Sequence, residues 1–281
     1  MSVEGKVVLV SGASEGIGLA IARQLADGGA SVVMTARRPG PLAAAVRGIG
    51  PLALAVAGDI CMPGAADEAV ATALVHHGRL DGVVCNAGIF IGGPLLAQPM
   101  DEVEQILAVN LRGTIGLMAA AAPALANTAA SAAVVVSSAL GRHPTPGTGI
   151  YGATKAALNH LVATWAAELA PHGVRVNAVS AGPTDTPGFR AGTRKVPRLE
   201  DIMVGSSLIK RLAQPEEVAR PVVTLLDSEL SGFVTGAIWE VDGGAHRDHG
   251  AGPGPRPGSA SGPAPSAVPA PPPGNQAAHS R

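Results

Sequence analysis

A chain of 281 residues with 20 basic and 21 acidic side chains, formal net charge −1, carries no field that would recruit nucleic acid or an anionic membrane. Its two cysteines, Cys61 and Cys85, form neither a metal-ligand nor a redox spacing, so no disulfide framework is expected and a reducing, cytoplasmic setting is the default. Composition changes after residue 244: in residues 245–281, 15 of 37 positions are Pro or Gly, above the roughly 25–30% of low-complexity chain, and a disordered Pro/Gly/Ala-rich tail is expected behind one domain spanning 1–244.

Residues 6–11 form a β-branched run that reads as a buried parallel strand. The glycine turn Gly12-Ala-Ser-Glu-Gly16-Ile-Gly18 follows. Ile17, Ile21 and Leu25 then recur at helical spacing until Gly28-Gly29 ends the helix. Strands are expected at 31–36, 52–57 and 80–85, separated by helices at 41–47 and 65–77. A long helix is expected at 101–122, a strand at 132–137, and a helix at 152–169 with Leu158, Leu161, Val162, Trp165 and Leu169 along one face. A strand at 174–179, a helix at 215–226 and a strand at 237–241 complete the pattern. The apolar stretch 117–136 is interrupted by Pro123, Asn127 and Ser131. It reads as a helix end, a loop and a strand, not a membrane span. The five residues before the first strand are too few for a signal peptide. Strands alternating with helices imply an α/β fold, a mainly parallel sheet covered on both faces with right-handed crossovers.

Two stretches carry chemistry. The first is the strand, glycine turn and helix at the start, which suits a dinucleotide pyrophosphate: glycines let backbone approach the anion and the helix N-terminus favours it. The spacing Gly12-x3-Gly16-x-Gly18 departs from G-x-G-x-x-G. The second strand ends in Thr35-Ala36-Arg37-Arg38 with no acid to accept a ribose hydroxyl. Two arginines suit a 2′-phosphate, so NADP is the expected cofactor, NADPH preferred over NADH, with Glu15 in the turn acting against it.

The second stretch is 138–155. Tyr151 is the only tyrosine, and Lys155, one of four lysines, lies one helical turn later, on the same face. A nearby cation favours the phenolate and lowers the phenol pKa, which suits proton transfer. Ser138 follows an apolar strand and would meet the same site. His143 is a further candidate for the pocket wall, although a satisfied loop histidine is the plainer reading.

With these motifs in place, the chain resembles the short-chain dehydrogenase/reductase family, in its branch of about 250 residues. The resemblance covers residues 4–244. The family's Thr-Gly-x3-Gly-x-Gly appears with Ser11 for threonine. Its Asn-Asn-Ala-Gly appears as Cys85-Asn86-Ala87-Gly88, and its Pro-Gly-x3-Thr segment as Ala181-Gly182-Pro183-Thr184-Asp185-Thr186. The resemblance implies a Rossmann-type doubly wound sheet of seven strands and a catalytic tetrad of Asn110, Ser138, Tyr151 and Lys155. For the cofactor it implies Gly12, Ser14, Glu15, Gly16, Ile17 and Gly18 at the turn, Arg37, Arg38, Asp59 and Ile60 at the adenosine, and Asn86, Ala87 and Gly88 beside the sheet. Tyr151, Lys155, Gly182, Pro183, Thr184 and Thr186 would lie near the nicotinamide. No metal is implied.

The implied reaction is hydride transfer between NADP(H) and a carbonyl or secondary alcohol. Tyr151 would move the proton, Lys155 would lower its pKa, Ser138 would hold the substrate oxygen, and Asn110 would hold a water leading to solvent. Residues 187–212 correspond to the substrate loop, where Arg190, Arg194, Lys195, Arg198, Lys210 and Arg211 outnumber Glu200 and Asp201. A basic lid would favour an anionic substrate; a solvated charged loop is the favoured reading. Phe90 and Phe189 are the candidates for stacking on a flat substrate. The alternative within the enzyme class is a 3-oxoacyl reductase serving acyl carrier protein, against which stand the absence of Lys and Arg from 113–141 and His172 where those enzymes tend to carry arginine. Alternatives of another class are a catalytically silent NADP-binding sensor or scaffold and a docking role for the Pro-rich tail. The resemblance also implies a homo-oligomer, a tetramer before a dimer, built partly through helices 101–122 and 152–169.

Overall fold

The computed structural model describes residues 3–245; the expected tail, apart from Ala245, lies outside the described residues. The chain runs β1 (Val7–Ser11), α1 (Gly16–Asp27), β2 (Ser31–Ala36), α2 (Pro39–Ile49), β3 (Ala53–Ala57), α3 (Ala65–His77) and β4 (Gly82–Cys85). Next come α4 (Met100–Ile106), a π-helical turn (Leu107–Gly113), α5 (Thr114–Ala126), β5 (Ala132–Ser138), α6 (Gly149–Leu169) and β6 (Arg175–Ala181). The remainder is α7 (Pro187–Thr193), α8 (Leu199–Gly205), α9 (Pro215–Leu226), α10 (Ser228–Ser231) and β7 (Ile238–Val241).

The seven strands form one sheet in the order β3-β2-β1-β4-β5-β6-β7, every pairing parallel. Alternate side chains of each strand face opposite sides, and in the central strands β1, β4, β5 and β6 both sides are buried. Val8, Val10, Val32, Met34, Val84, Val134 and Val136 face α1, α2 and α9. Val7, Leu9, Val33, Val83, Val135 and Val176 face α3, α5 and α6. This is why the strands read as continuous apolar runs.

All seven expected strands form. Two helices differ from expectation. The 101–122 helix begins at Met100, is interrupted by the π turn and runs on to Ala126, with Pro123 inside it. A proline in the last turn deletes only one late amide bond and is tolerated there. By length and composition Met100–Ala126 would suffice to cross a bilayer, yet Ile106, Asn110, Leu117, Met118, Ala121 and Leu125 are buried in the protein. The 152–169 helix starts at Gly149, which puts Tyr151 in its first turn. Helices α7 and α8, in a stretch read only as loop, are each seven residues long. Too short to stand alone, they are fixed by packing of Leu199, Met203, Val196 and Phe189 on Leu140, Phe90 and Tyr151.

Candidate active site

The carboxyl ends of the central strands open onto a cleft of about 590 Å³. It lies where strand order reverses between β1 and β4, the place where doubly wound sheets leave a crevice.

The floor of the cleft is a single hydrogen-bonded unit. Ser11 Oγ donates to the Val84 carbonyl at 3.2 Å and accepts from the backbone N–H of Asn86 and of Ala87, both at 3.0 Å. Asn86 Nδ2 donates to the carbonyls of Ser11 (2.9 Å) and Gly12 (3.2 Å). Asn86 thus uses its amide to hold the glycine turn. Gly12 sits at φ +65°, and a Cβ there would lie 2.9 Å from Ala87 Cα, so the turn requires glycine. Gly18 does not line the cleft; a Cβ on it would lie 2.3 Å from the Gly12 carbonyl oxygen, so it serves the close packing of α1 on the turn. Ser14, Glu15, Gly16 and Ile17 line the cleft.

At the β2–β3 end stand Arg37, Arg38, Asp59 and Ile60. Both arginines are exposed. Arg38 Nη2 pairs with Glu15 Oε2 at 2.6 Å, whereas Arg37 has no side-chain partner among the described residues. The two arginines expected to act together are therefore unequal, because one is already neutralised by the acid of the glycine turn. Asp59 Oδ1 accepts from the Cys61 amide at 3.0 Å.

At the β5 end, Ser138 is the last residue of its strand and Tyr151 and Lys155 project from α6 into the same cleft. Lys155 is 4% exposed; its Nζ donates to the Val136 carbonyl at 2.9 Å and lies 5.7 Å from the centre of the Tyr151 ring. Burial pushes Lys155 down to about 8. Burial pushes the Tyr151 phenol up to about 12, against a hydrogen bond with Ser138 that pulls it down. The expected lowering of the phenol by Lys155 is not what this site shows: desolvation of both groups dominates. Cys85, buried at the end of β4, is likewise pushed up to about 12, as an inert packed thiol should be.

Asn110 does not line the cleft. It is fully buried in the π turn, where its Oδ1 accepts from the Ile89 N–H at 2.8 Å and its Nδ2 donates to the Ile89 carbonyl at 2.9 Å. It staples the segment after Gly88 to the helix. A Cβ placed on Gly88 would meet both Asn110 Oδ1 and Lys155 Nζ, so the two side chains flank one position.

Gly182, Thr184 and Thr186 line the cleft, and Pro183 does not. Thr186 caps α7, its Oγ1 accepting from the Phe189 N–H at 3.1 Å, a start signal present in the Thr-Pro sequence. His143 is not on the cleft wall. The basic lid does not form as a field over the site. Arg190 pairs with Asp185 at 2.7 Å, Lys195 with Glu102, and Arg211 with Glu217 at 2.7 Å. Arg194 and Arg198 are exposed and away from the wall. Sequence reasoning missed Ile89, Leu140 and Met203, which line the cleft; apolar side chains carry no chemical signature.

Comparison with known proteins gives one answer. A family model described as enoyl-(acyl carrier protein) reductase matches residues 12–246. Dehydrogenase/reductase SDR family member 4 of Bos taurus is 36% identical over 247 residues, 86% of this chain and 88% of that one. L-rhamnose 1-dehydrogenase (NAD(P)(+)) of a Sphingomonas strain is 35% identical over 253 residues, 87% of this chain and 97% of that one. Among solved structures, 3-ketoacyl-(acyl-carrier-protein) reductase from Brucella melitensis complexed with NADH superposes with TM-score 0.81 at 31% identity, covering 87% of this chain and all of that one. A short chain dehydrogenase from Burkholderia cenocepacia in complex with NADP superposes at 0.80 and 34% identity, over 87% and 99% of the two chains.

Proposed function

The chain belongs to the short-chain dehydrogenase/reductase family of oxidoreductases, and we propose that it transfers a hydride between NADP(H) and a carbonyl/secondary alcohol pair, with Tyr151 as general acid/base. The observation that carries the reading is continuity: one cleft joins the glycine turn and Arg37 to Ser138, Tyr151 and Lys155. The cleft fits a dinucleotide. The positive-φ glycines Gly12 and Gly16 present bare backbone to the cleft, the N-terminus of α1 faces it, and Arg37 has no side-chain partner among the described residues at the far end. The cofactor, when bound, supplies the hydride.

The protein supplies the proton and the position. Tyr151, held neutral by burial well above neutral pH, gives its Oη proton to a carbonyl oxygen; in the reverse direction it accepts the alcohol proton. Ser138, at hydrogen-bonding distance of that phenol, holds the same oxygen and stabilises charge developing on it. Lys155, fixed by the Val136 carbonyl, offers a donor that remains charged below about pH 8. Asn110 acts through the Ile89 backbone as a positioning residue, and its second Oδ1 lone pair beside Gly88 is where a relay water would be held.

Cofactor preference rests on Arg37. Arg38 contributes less because its charge is shared with Glu15. The reading is tested by following NADPH and NADH oxidation at 340 nm against a panel of ketones, quinones, 2-oxo acids and 3-oxoacyl thioesters. The absence of carbonyl-dependent oxidation across the panel, with cofactor bound, would favour the silent sensor. Acyl carrier protein as substrate carrier is the second reading, favoured by the ketoacyl reductase among the structural neighbours; a strong preference for 3-oxoacyl thioesters would select it. We further propose a homo-oligomer through the outer face of α4–α5, where Leu107 and Ile115 remain 42% and 39% exposed.

A further inference from the structure

Three of the chain's six aromatic residues (three Phe, two Trp, one Tyr) meet at one place. Phe90 lies 4.8 Å from the Tyr151 ring, tilted by 58°, and 6.2 Å from Phe189, stacked within 18°. Leu140 and Met203 close the same wall. In a chain with 2% aromatic residues this convergence is not a by-product of core composition, since the buried residues of the two main core clusters include no aromatic side chain.

The polar side of the same observation is the distribution of charge. Glu15, Arg37, Arg38 and Asp59 line the β2–β3 end, and among the described residues Lys155 is the only charged side chain lining the β5 end. The cations of the loop above are paired with Asp185, Glu102 and Glu217 or face solvent. A carboxylate or phosphate on the substrate would have to leave water with no cation to receive it, since Lys155 is committed beside Tyr151. That desolvation is opposed at an apolar wall.

The wall is also held in place by backbone contact. Gly92 N–H reaches the Gly192 carbonyl at 3.4 Å and Gly93 N–H donates to the Gly147 carbonyl at 2.9 Å. A Cβ on Gly192 would lie 2.3 Å from the Phe90 carbonyl oxygen. The strand-end segment carrying Phe90 and the helix carrying Phe189 therefore touch through their main chains, which fixes the two rings before any substrate arrives.

We infer that the substrate is an uncharged carbonyl compound carrying an aromatic or bulky apolar group next to the reacting carbon, and that Phe90, with Phe189, sets this selectivity. This rests on the hydride-transfer reading above. A ring packed against the Phe90–Phe189 pair places its attached carbonyl toward Tyr151 and Ser138, because the Phe90 ring packs on that of Tyr151.

The test compares kcat/KM of the NADPH-loaded full chain for acetophenone, butan-2-one and 2-oxobutanoate. We expect acetophenone to exceed both by about ten-fold or more, the scale of burying one ring against others. Phe90→Ala should reduce the acetophenone-to-butan-2-one ratio about ten-fold, mainly through KM, and Phe189→Leu, which keeps volume and loses the flat face, should reduce it less. Preference for 2-oxobutanoate, or an unchanged ratio in both variants with native dichroism, overturns the inference and leaves hydride transfer standing. Calorimetric titration of the NADPH-loaded Tyr151→Phe protein with acetophenone separates the two readings: binding that Phe90→Ala abolishes, in a protein whose wild type turns over no carbonyl, supports the aromatic site and sinks the hydride-transfer reading alone.

Discussion

The two ends of the cleft solve opposite problems with the same kinds of residue. At the β2–β3 end the charges are exposed: Arg37, Arg38 and Glu15 sit in water, and the Arg38–Glu15 pair at 2.6 Å is open to solvent. An exposed pair of this kind is worth about 0–1 kcal/mol. At the β5 end Lys155 and Tyr151 are desolvated, and burial moves both pKa values, one down to about 8 and one up to about 12. Exposed charge can select between ligands by modest factors; buried charge changes what a side chain can do. The first end is suited to choosing a cofactor and the second to moving a proton.

If that contrast holds, effects should be largest at the buried end. Tyr151→Phe should keep fold and cofactor affinity, measured by dichroism and NADPH fluorescence titration, and should reduce kcat by at least about 10²–10⁴-fold, the usual contribution of a general acid. Near-normal turnover would remove Tyr151 from the chemistry.

Next is the dependence of stability on pH. Lys155 titrates at about 8 in the folded protein and at 10.5 in its ordinary state. Between these values the unfolded chain binds more protons, so this group makes stability rise with pH. Tyr151 acts in the opposite sense above its ordinary value of 10.0, because the folded state keeps its proton up to about 12. Urea unfolding of the cofactor-free protein should show a Lys155 contribution rising from pH 8 to 10, on the order of 2 kcal/mol at 1.36 kcal/mol per unit, absent from Lys155→Met. A wild-type curve parallel to that of the variant would show that Lys155 is not desolvated.

Smaller effects belong to the exposed end. Arg37→Ala should raise KM for NADPH about ten-fold, the lower range for one charge-assisted bond in contact with solvent, and leave KM for NADH nearly unchanged. Added salt should weaken NADPH binding more than NADH binding. Equal response of both cofactors would make Arg37 a plain surface arginine. Smallest of all, Glu15→Gln should release Arg38 and increase the NADPH-to-NADH selectivity by up to about five-fold, the scale of an exposed ion pair. A loss of selectivity in this variant would mean that Glu15 orients Arg38 productively instead of competing for it.

The sheet was readable in the sequence because buried parallel strands show as uninterrupted runs such as Val7–Ser11 and Ala132–Ser138. That Tyr151 and Lys155 share a face was readable because the sole tyrosine and one of four lysines lie four positions apart, and Ser138 was readable as the end of an apolar strand; the structure brings the three to one cleft. Three things were not readable. The pairing of Arg38 with Glu15 joins residues 23 positions apart across a turn, and only the folded loop decides whether an arginine is free. The helices α7 and α8 have weak local preference and depend on packing against Leu140 and Phe90. The pKa values follow from depth of burial, which residue type does not disclose; the lone-cation argument for Tyr151 gave the wrong direction for that reason.

The π turn at Leu107–Gly113 has a consequence for how this stretch can vary. A turn closed by i→i+5 bonds holds one residue more than an α turn and absorbs it as a bulge. Asn110 sits on the bulge, and its two bonds to Ile89 depend on it. Deleting any one residue between 107 and 113 would let the helix anneal to regular α geometry, a more regular backbone by itself. The flanking segments would keep their phase, because the π turn absorbs the one residue removed, but the bulge that presents Asn110 to the Ile89 backbone would be lost, and with it both bonds. The extra residue of the π turn therefore serves the Asn110–Ile89 contact and not the course of the helix, which could run on without it.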